Sequence, residues 1–134
     1  TFHVDATVSA FSTSGHLFVE MVQASTGMHL GHAVMDLRFH AGGKDGEVLG
    51  PGETVNAKME FFGMDVLIPA GDGIHLIISQ TGEDYIPSPV SMQPVTVGVG
   101  ATSILSLSTV ERGCDDLFMP PMMADPYPQC VVEE

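Results

Sequence analysis

Strict alternation of apolar and polar residues is the feature that most constrains this chain. Across residues 54–61 every second position is apolar, with Val55, Ala57, Met59 and Phe61 separated by polar side chains. Residues 2–10 repeat the pattern. Successive side chains of a β-strand point to opposite faces, so this alternation predicts strands with one buried face and one solvated face.

Shorter apolar runs predict the remaining strands, at residues 17–23, 31–40, 65–68, 74–80, 95–99 and 103–110. Turns that contain glycine or proline separate these runs. Glycine or proline also interrupts every window long enough for a helix. We therefore predict an all-β fold: an antiparallel, jelly-roll-like β-sandwich of about eight strands.

The C-terminal stretch has a different character. Four prolines fall within residues 120–128, a density that a central strand or a helix interior does not tolerate. We predict a β-sandwich domain over residues 1–110 and an extended, Pro-rich tail over residues 111–134. A disulfide between Cys114 and Cys130 would close a loop of about 15 residues and pin this tail, contributing roughly 3 kcal/mol. Two free thiols and a solvated terminus are the alternatives.

Length and charge exclude several classes of protein. The chain has 134 residues, with 4 Lys and Arg against 17 Asp and Glu and a net charge of −13, which fits one acidic domain. Such a charge opposes phosphate backbones and anionic headgroups, so we expect no nucleic-acid partner and no membrane insertion. The chain opens on Thr1 in a strand-like pattern, as expected of a mature protein or of a piece of a longer one. The cysteines and the acidic composition favour an extracellular or cell-surface location.

No catalytic site is predicted, because the G-x-S-x-G elbow of an α/β-hydrolase nucleophile does not occur. Three histidines suggest a transition-metal site. If His29 lies in a turn and His32 begins a strand, then His32 and His40 share one face by parity. Three such imidazoles could hold Zn²⁺ or Cu²⁺, although surface histidines are the simpler interpretation.

Calcium is the remaining candidate ligand. Asp45 and Glu47 lie in a Gly-rich segment, and Glu83 and Asp84 stand beside Tyr85. These carboxylates offer the hard oxygen ligands that Ca²⁺ prefers, but neither segment has the spacing of an EF-hand loop. A solvated acidic loop is the alternative, and we predict no cofactor other than this possible structural calcium.

The order of the segments resembles a known family. The segments that carry the resemblance are FHVDATV at 2–8, GHLFVEM at 15–21, AVMDLRFH at 33–40, LGPGE at 49–53 and VLIPAGDGIHLIIS at 66–79. Together they resemble the C-terminal β-sandwich of the Xaa-Pro dipeptidyl-peptidase family of serine hydrolases, which includes cocaine-esterase-like enzymes. The resemblance covers about residues 1 to 110. Asp72 stands where the family pattern has a histidine, and an extra Gly73 follows it.

The resemblance implies a role without catalysis. In that family the catalytic Ser, Asp and His belong to an α/β-hydrolase domain that precedes the sandwich. It therefore implies a non-catalytic accessory domain of a secreted hydrolase, docked on the catalytic hydrolase domain through an apolar patch on one face of the sandwich.

Two other functions remain open. A self-assembling surface or filament subunit would bind copies of itself by strand addition, with residues 2–10 pairing with a neighbouring copy. A jelly-roll ligand- or carbohydrate-binding module ranks lower, because the chain has no Trp and only 2 Tyr to form aromatic sugar platforms.

Overall fold

The computed structural model describes residues 1–62, 66–82 and 93–108, and within them seven strands form two antiparallel sheets. The strands are β1 (Phe2–Thr7), β2 (His16–Gln23), β3 (His29–Asp36), β4 (Thr54–Met59), β5 (Ile74–Ser79), β6 (Thr96–Gly98) and β7 (Ile104–Leu105). A short 3₁₀ turn over Leu37–Phe39 is the one helical element in the described residues. The prediction of an all-β antiparallel β-sandwich is confirmed.

The first sheet, called sheet 1, is built around β1. Strand β4 pairs with β1 over its full length, from Phe2 opposite Met59 to Thr7 opposite Thr54. Strands β6 and β7 both pair with β1 as well, and five residues loop out between them. Residues 2–3 and 5–7 therefore have strand partners on both sides within their own sheet, and Val4 between them pairs with Ala57 of β4. The expectation that this segment pairs with a neighbouring copy is wrong, because its ladder is already occupied.

The second sheet, called sheet 2, has the order β3-β2-β5. Its central strand β2 pairs with β3 from His16 opposite Asp36 onward, with a register shift between Met21 and Val22. On its other side β2 pairs with β5, from Phe18 opposite Ser79 to Gln23 opposite Ile74. This register decides which side chains share each face of the sheet.

The core lies between the two sheets and follows the alternation of the sequence. Its buried members are Phe2, Val4, Ala6, Val8, Leu17, Val19, Ala33, Leu37, Leu49, Val55, Ala57 and Met59. Partly buried side chains of the edge strands pack against it, among them Leu76, Ile78, Val97 and Leu105. Removal of this apolar surface from water is the main contribution to stability in a fold of this kind.

Two strand predictions need correction. The strand expected to continue to His40 ends at Asp36, because the Asp36 carboxylate accepts a hydrogen bond from the Arg38 amide and starts the 3₁₀ turn. Residues 66–68 are not a strand. The predicted tail over residues 111–134 lies outside the described residues.

Over the part of the chain that the structure describes, no helix is long and apolar enough to cross a bilayer.

Candidate functional site

The outward-facing side of sheet 2 differs from an ordinary solvated sheet surface. In the strands of sheet 2, residues such as Leu17, Val19 and Ile78 point into the core. The residues that alternate with them along each strand therefore point outward. In register they form three rows: Val34, Phe18 and Ser79; His32, Glu20 and Ile77; His29, Val22 and His75. We call this set, together with the adjoining Phe62, the sheet 2 outer face.

An aromatic layer covers the middle of this face. The ring of Phe18 stacks on His32 with centroids 5.5 Å apart, and His32 meets Phe62 edge-on at 5.8 Å. Phe18 is only 8% exposed although it points away from the core. Gly82 contributes to this burial, because a Cβ at that position would lie 2.5 Å from the Phe18 ring carbons. The absence of a side chain at Gly82 lets its backbone lie directly on the ring.

Large apolar side chains around this layer remain in solvent. Val34 is 43% exposed, Ile77 48% and Phe62 67%. The sheet register brings Val34 of β3 and Ile77 of β5 to one face, and Phe62, which follows β4, joins them through its contact with His32. A cluster of exposed apolar side chains on one surface is typical of a site of protein–protein contact.

Polar groups occupy set positions on the same face. Glu20 lies in its central row, and its Oε1 atom is 3.9 Å from Nε2 of His29. His75 is exposed and lies opposite Val22. At the far end of the face, Asp36 lies 3.3 Å from His16 and also pairs with Arg38. Burial raises the pKa of the Asp36 carboxyl, but the hydrogen bonds and charge of Arg38 outweigh it, so the pKa lies below its ordinary value.

The outward-facing side of sheet 1 is polar and bonded to itself. Its rows are Thr54, Thr7 and Thr96; Asn56, Asp5 and Gly98; Lys58, His3 and Ile104. The hydroxyls of Thr7 and Thr54 are 2.7 Å apart, and Asn56 donates to the Asp5 carboxylate at 2.9 Å. Thr102 donates to the other Asp5 oxygen. The hydrogen bonds from Asn56 and Thr102 lower the pKa of Asp5. We call this set the sheet 1 outer face.

The sequence of this domain matches a known protein family. Residues 1–112 match the model of the X-Pro dipeptidyl-peptidase C-terminal non-catalytic domain. The chain belongs to that family. Domains of this kind accompany a catalytic hydrolase domain, and the non-catalytic domain is the part of such an enzyme that is detected in this chain. No match was found among curated proteins or among solved structures.

In this C-terminal domain the three histidines of the predicted metal site do not come together. His29 and His32 are neighbours, with ring centroids 5.5 Å apart. His40 follows the 3₁₀ turn, where its Nδ1 atom lies 3.0 Å from the Leu37 carbonyl oxygen. Because β3 ends before His40, the parity argument fails. In residues 1–62, 66–82 and 93–108, no group of three His, Cys, Asp or Glu could hold a metal ion.

The remaining predicted site residues are only partly placed. Asp45 and Glu47 flank Gly46 in an exposed loop of the domain. Glu83 and Asp84, the other predicted calcium ligands, lie outside the described residues, as do Cys114 and Cys130 of the predicted disulfide. Calcium binding and the disulfide therefore stay predictions.

Reasoning from the sequence expected an apolar patch but did not locate it. The available signal was in β2, where apolar residues occupy both parities at Leu17, Phe18 and Val19. A strand that is apolar at consecutive positions has both faces covered. Phe62 carried no such signal, because it lies beyond β4 and meets His32 only through the tertiary fold.

Proposed function

We propose that this C-terminal domain is an accessory domain that docks on the catalytic hydrolase domain through the sheet 2 outer face. The observation that carries the proposal is the group of large apolar side chains left in solvent there: Val34, Ile77 and Phe62. The ring of Phe62 packs edge-on against His32, which in turn stacks on the buried Phe18, so this part of the surface is already formed. A preformed apolar surface favours association, because little ordering is needed when the partner arrives.

The energetics of burial favour this face over the sheet 1 outer face. Burial of apolar surface stabilises a complex by about 25 cal/mol per Å². On sheet 1, docking would cover mainly polar groups: the Thr7 hydroxyl, which bonds that of Thr54, and Asn56, which donates to Asp5. Because these groups are already paired, this face offers a partner little apolar area and few unused donors or acceptors. Sheet 2 therefore offers the larger net gain.

Two isoleucines of nearly equal exposure provide a matched test. Ile77 on sheet 2 is 48% exposed and Ile104 on sheet 1 is 54% exposed. We expect Ile77→Ser to weaken association with the cognate catalytic domain about tenfold or more, because it removes buried apolar area. Ile104→Ser should leave the dissociation constant unchanged. Titration calorimetry of the full chain with the catalytic domain measures both values, and an equal loss for both variants would contradict the proposal.

We also propose an extracellular setting, supported by the acidic composition and by the pair of cysteines. In an oxidising compartment, Cys114 and Cys130 would form a disulfide. Mass spectrometry after alkylation without reductant tests this in protein from the native source. No alkylated cysteine is expected, and alkylation of both would contradict the disulfide.

A further inference from the structure

Five residues of the proposed docking surface are polar, and this inference concerns two of them, Glu20 and His75. Of the other three, Ser79 donates to the Thr81 carbonyl oxygen, His29 lies beside Glu20, and His32 stacks on Phe18. We propose that Glu20 and His75 set the orientation of docking, and that the catalytic domain presents a hydrogen-bond donor to Glu20 and an acceptor to His75. This inference rests on the proposed function, since it describes the partner of the same face. It adds the chemistry that the partner surface must carry.

The central position of Glu20 makes its desolvation unavoidable in such a complex. Phe18 and Val22 lie beside it along β2, and His32 and Ile77 lie opposite it on the two neighbouring strands. Its one ionic contact within the described residues is to His29, at 3.9 Å, which is longer than a hydrogen bond. A carboxylate has several acceptor positions, so Glu20 keeps most of its capacity unused. Docking would bury it, and a buried carboxylate needs a donor on the other side of the interface.

His75 poses the complementary requirement. It is exposed, and within the described part of the chain its side chain makes no hydrogen bond or ion pair. An imidazole carries at least one N–H donor in either of its neutral tautomers. A donor that is buried without an acceptor is destabilising. The catalytic domain must therefore place a carbonyl or carboxylate oxygen against His75.

The two positions are fixed relative to each other by the sheet. Glu20 lies opposite Ile77, and His75 is two residues from Ile77 along β5. Diagonal neighbours of this kind in an antiparallel sheet are about 7–8 Å apart. A partner that carries one donor and one acceptor at that spacing satisfies both groups in one orientation only. If the surface were only apolar, the catalytic domain could bind it in several orientations, rotated about an axis perpendicular to the sheet.

The charge of the chain favours a basic donor opposite Glu20. The net charge is −13, so a partner surface with a Lys or Arg side chain is attracted to it over long range. Opposite His75, a carboxylate or a main-chain carbonyl supplies the acceptor. The inferred partner surface is therefore apolar, with one cationic group and one oxygen acceptor.

Substitution by leucine distinguishes this surface from a purely apolar one. Leucine adds apolar area but removes the polar group, so the sign of the effect is informative. We expect Glu20→Leu and His75→Leu each to weaken association with the catalytic domain about tenfold or more, because a partner group is left buried and unpaired. Glu20→Gln keeps an acceptor oxygen and His75→Gln keeps an N–H donor, and each should stay closer to the wild type than the leucine variant. His3→Leu, on the sheet 1 outer face, is the matched control and should have no effect.

The outcomes separate this inference from the proposed function. If the wild-type chain does not bind the catalytic domain, the proposed function is overturned and the inference with it. If the wild type binds and Ile77→Ser weakens binding, but the leucine variants bind equally well or more tightly, only the inference is overturned. Thermal unfolding of each variant checks that the chain remains folded. Because Glu20 and His75 are tested separately, a folding defect in one leaves the other decisive.

Discussion

The outer faces of the two sheets present the same geometry with opposite chemistry. Each is a grid of three rows outside the same buried core, across β3, β2 and β5 in sheet 2 and across β4, β1 and the two short strands β6 and β7 in sheet 1. On sheet 1 the central row contains Asp5, which receives hydrogen bonds from Asn56 and Thr102. On sheet 2 the central row contains Glu20, whose contact with His29 is 3.9 Å long. One face satisfies its own polar groups, and we propose that the other does so only when the catalytic domain is bound.

The comparison shows that alternation alone does not decide whether a sheet faces water. Both sheets bury one face in the core, as alternation requires. The outward residues of sheet 1 are mostly threonines and charged or amide groups, whereas large apolar residues hold four of the nine outward positions in the rows of sheet 2, namely Phe18, Val22, Val34 and Ile77. Apolar residues at the outward positions of sheet 2 are typical of a sheet that is covered by a further layer of structure.

The largest effect is expected from Phe18→Ala. Phe18 is buried on the outward side of sheet 2, where it stacks on His32. Loss of the ring should lower the free energy of unfolding by about 3–5 kcal/mol, the range for removing a buried aromatic side chain. Thr7→Ala, at an outward position of sheet 1, should cost about 1 kcal/mol or less. Denaturant unfolding of both variants measures the difference, and similar losses would remove the distinction between the faces.

A smaller effect is expected from a methyl group at Gly82. Its Cβ would lie 2.5 Å from the ring of Phe18, whereas a Cβ at Gly98 of sheet 1 would lie 3.7 Å from Asp5. We expect Gly82→Ala to destabilise the fold by about 1–3 kcal/mol, because the ring must move. Gly98→Ala should change stability by about 0.5 kcal/mol or less. Thermal unfolding provides the test, and a neutral Gly82→Ala variant would show that the Phe18 ring is not held in place.

The smallest effect is expected on how the stability of the fold changes at acidic pH. Asp72 accepts hydrogen bonds from Ser25 and Gln23 and from the Gly73 amide, linking the β2–β3 turn to the start of β5. These bonds lower the pKa of Asp72 to about 2, and the side-chain hydrogen bond from Ser25 has the largest effect. On sheet 1 the bonds from Asn56 and Thr102 also lower the pKa of Asp5.

The sign of the pH effect follows from that lowering. Because the folded pKa of Asp72 lies below the unfolded value of about 3.9, its stabilising effect is present above pH 4. It is lost as the pH falls towards 2. Asp72→Asn should make the fall of the unfolding midpoint between pH 4 and 2 shallower. Asp5→Asn should do the same to a smaller degree, and a steeper acid response in Asp72→Asn would contradict this account.

Sequence reasoning predicted the fold better than the sites. The alternation at Val55, Ala57 and Met59 and at residues 2–10 depends only on local periodicity, and it located β4 and β1. The end of β3 was missed, because the Arg38 amide donates a hydrogen bond to the Asp36 carboxylate and this bond interrupts the strand. Without that information, one strand was predicted to run from His32 to His40, which would place both side chains on the same face.

The sheet 2 outer face could not be predicted from the sequence for a related reason. Its members come from β2, β3, β5 and the segment after β4, and their order across the sheet depends on which strands pair. The position of Gly82 against Phe18 is a tertiary contact between residues far apart in the chain. Local periodicity carries no information about either.

The central claim is that the sheet 2 outer face contacts the catalytic domain and the sheet 1 outer face does not. Methyl NMR spectra of the full chain, recorded while the cognate catalytic domain is added, test it most directly. The account predicts that the methyl signals of Ile77 and Val34 shift or broaden while those of Ile104 stay unchanged. Perturbation of Ile104 with Ile77 and Val34 unaffected would contradict it.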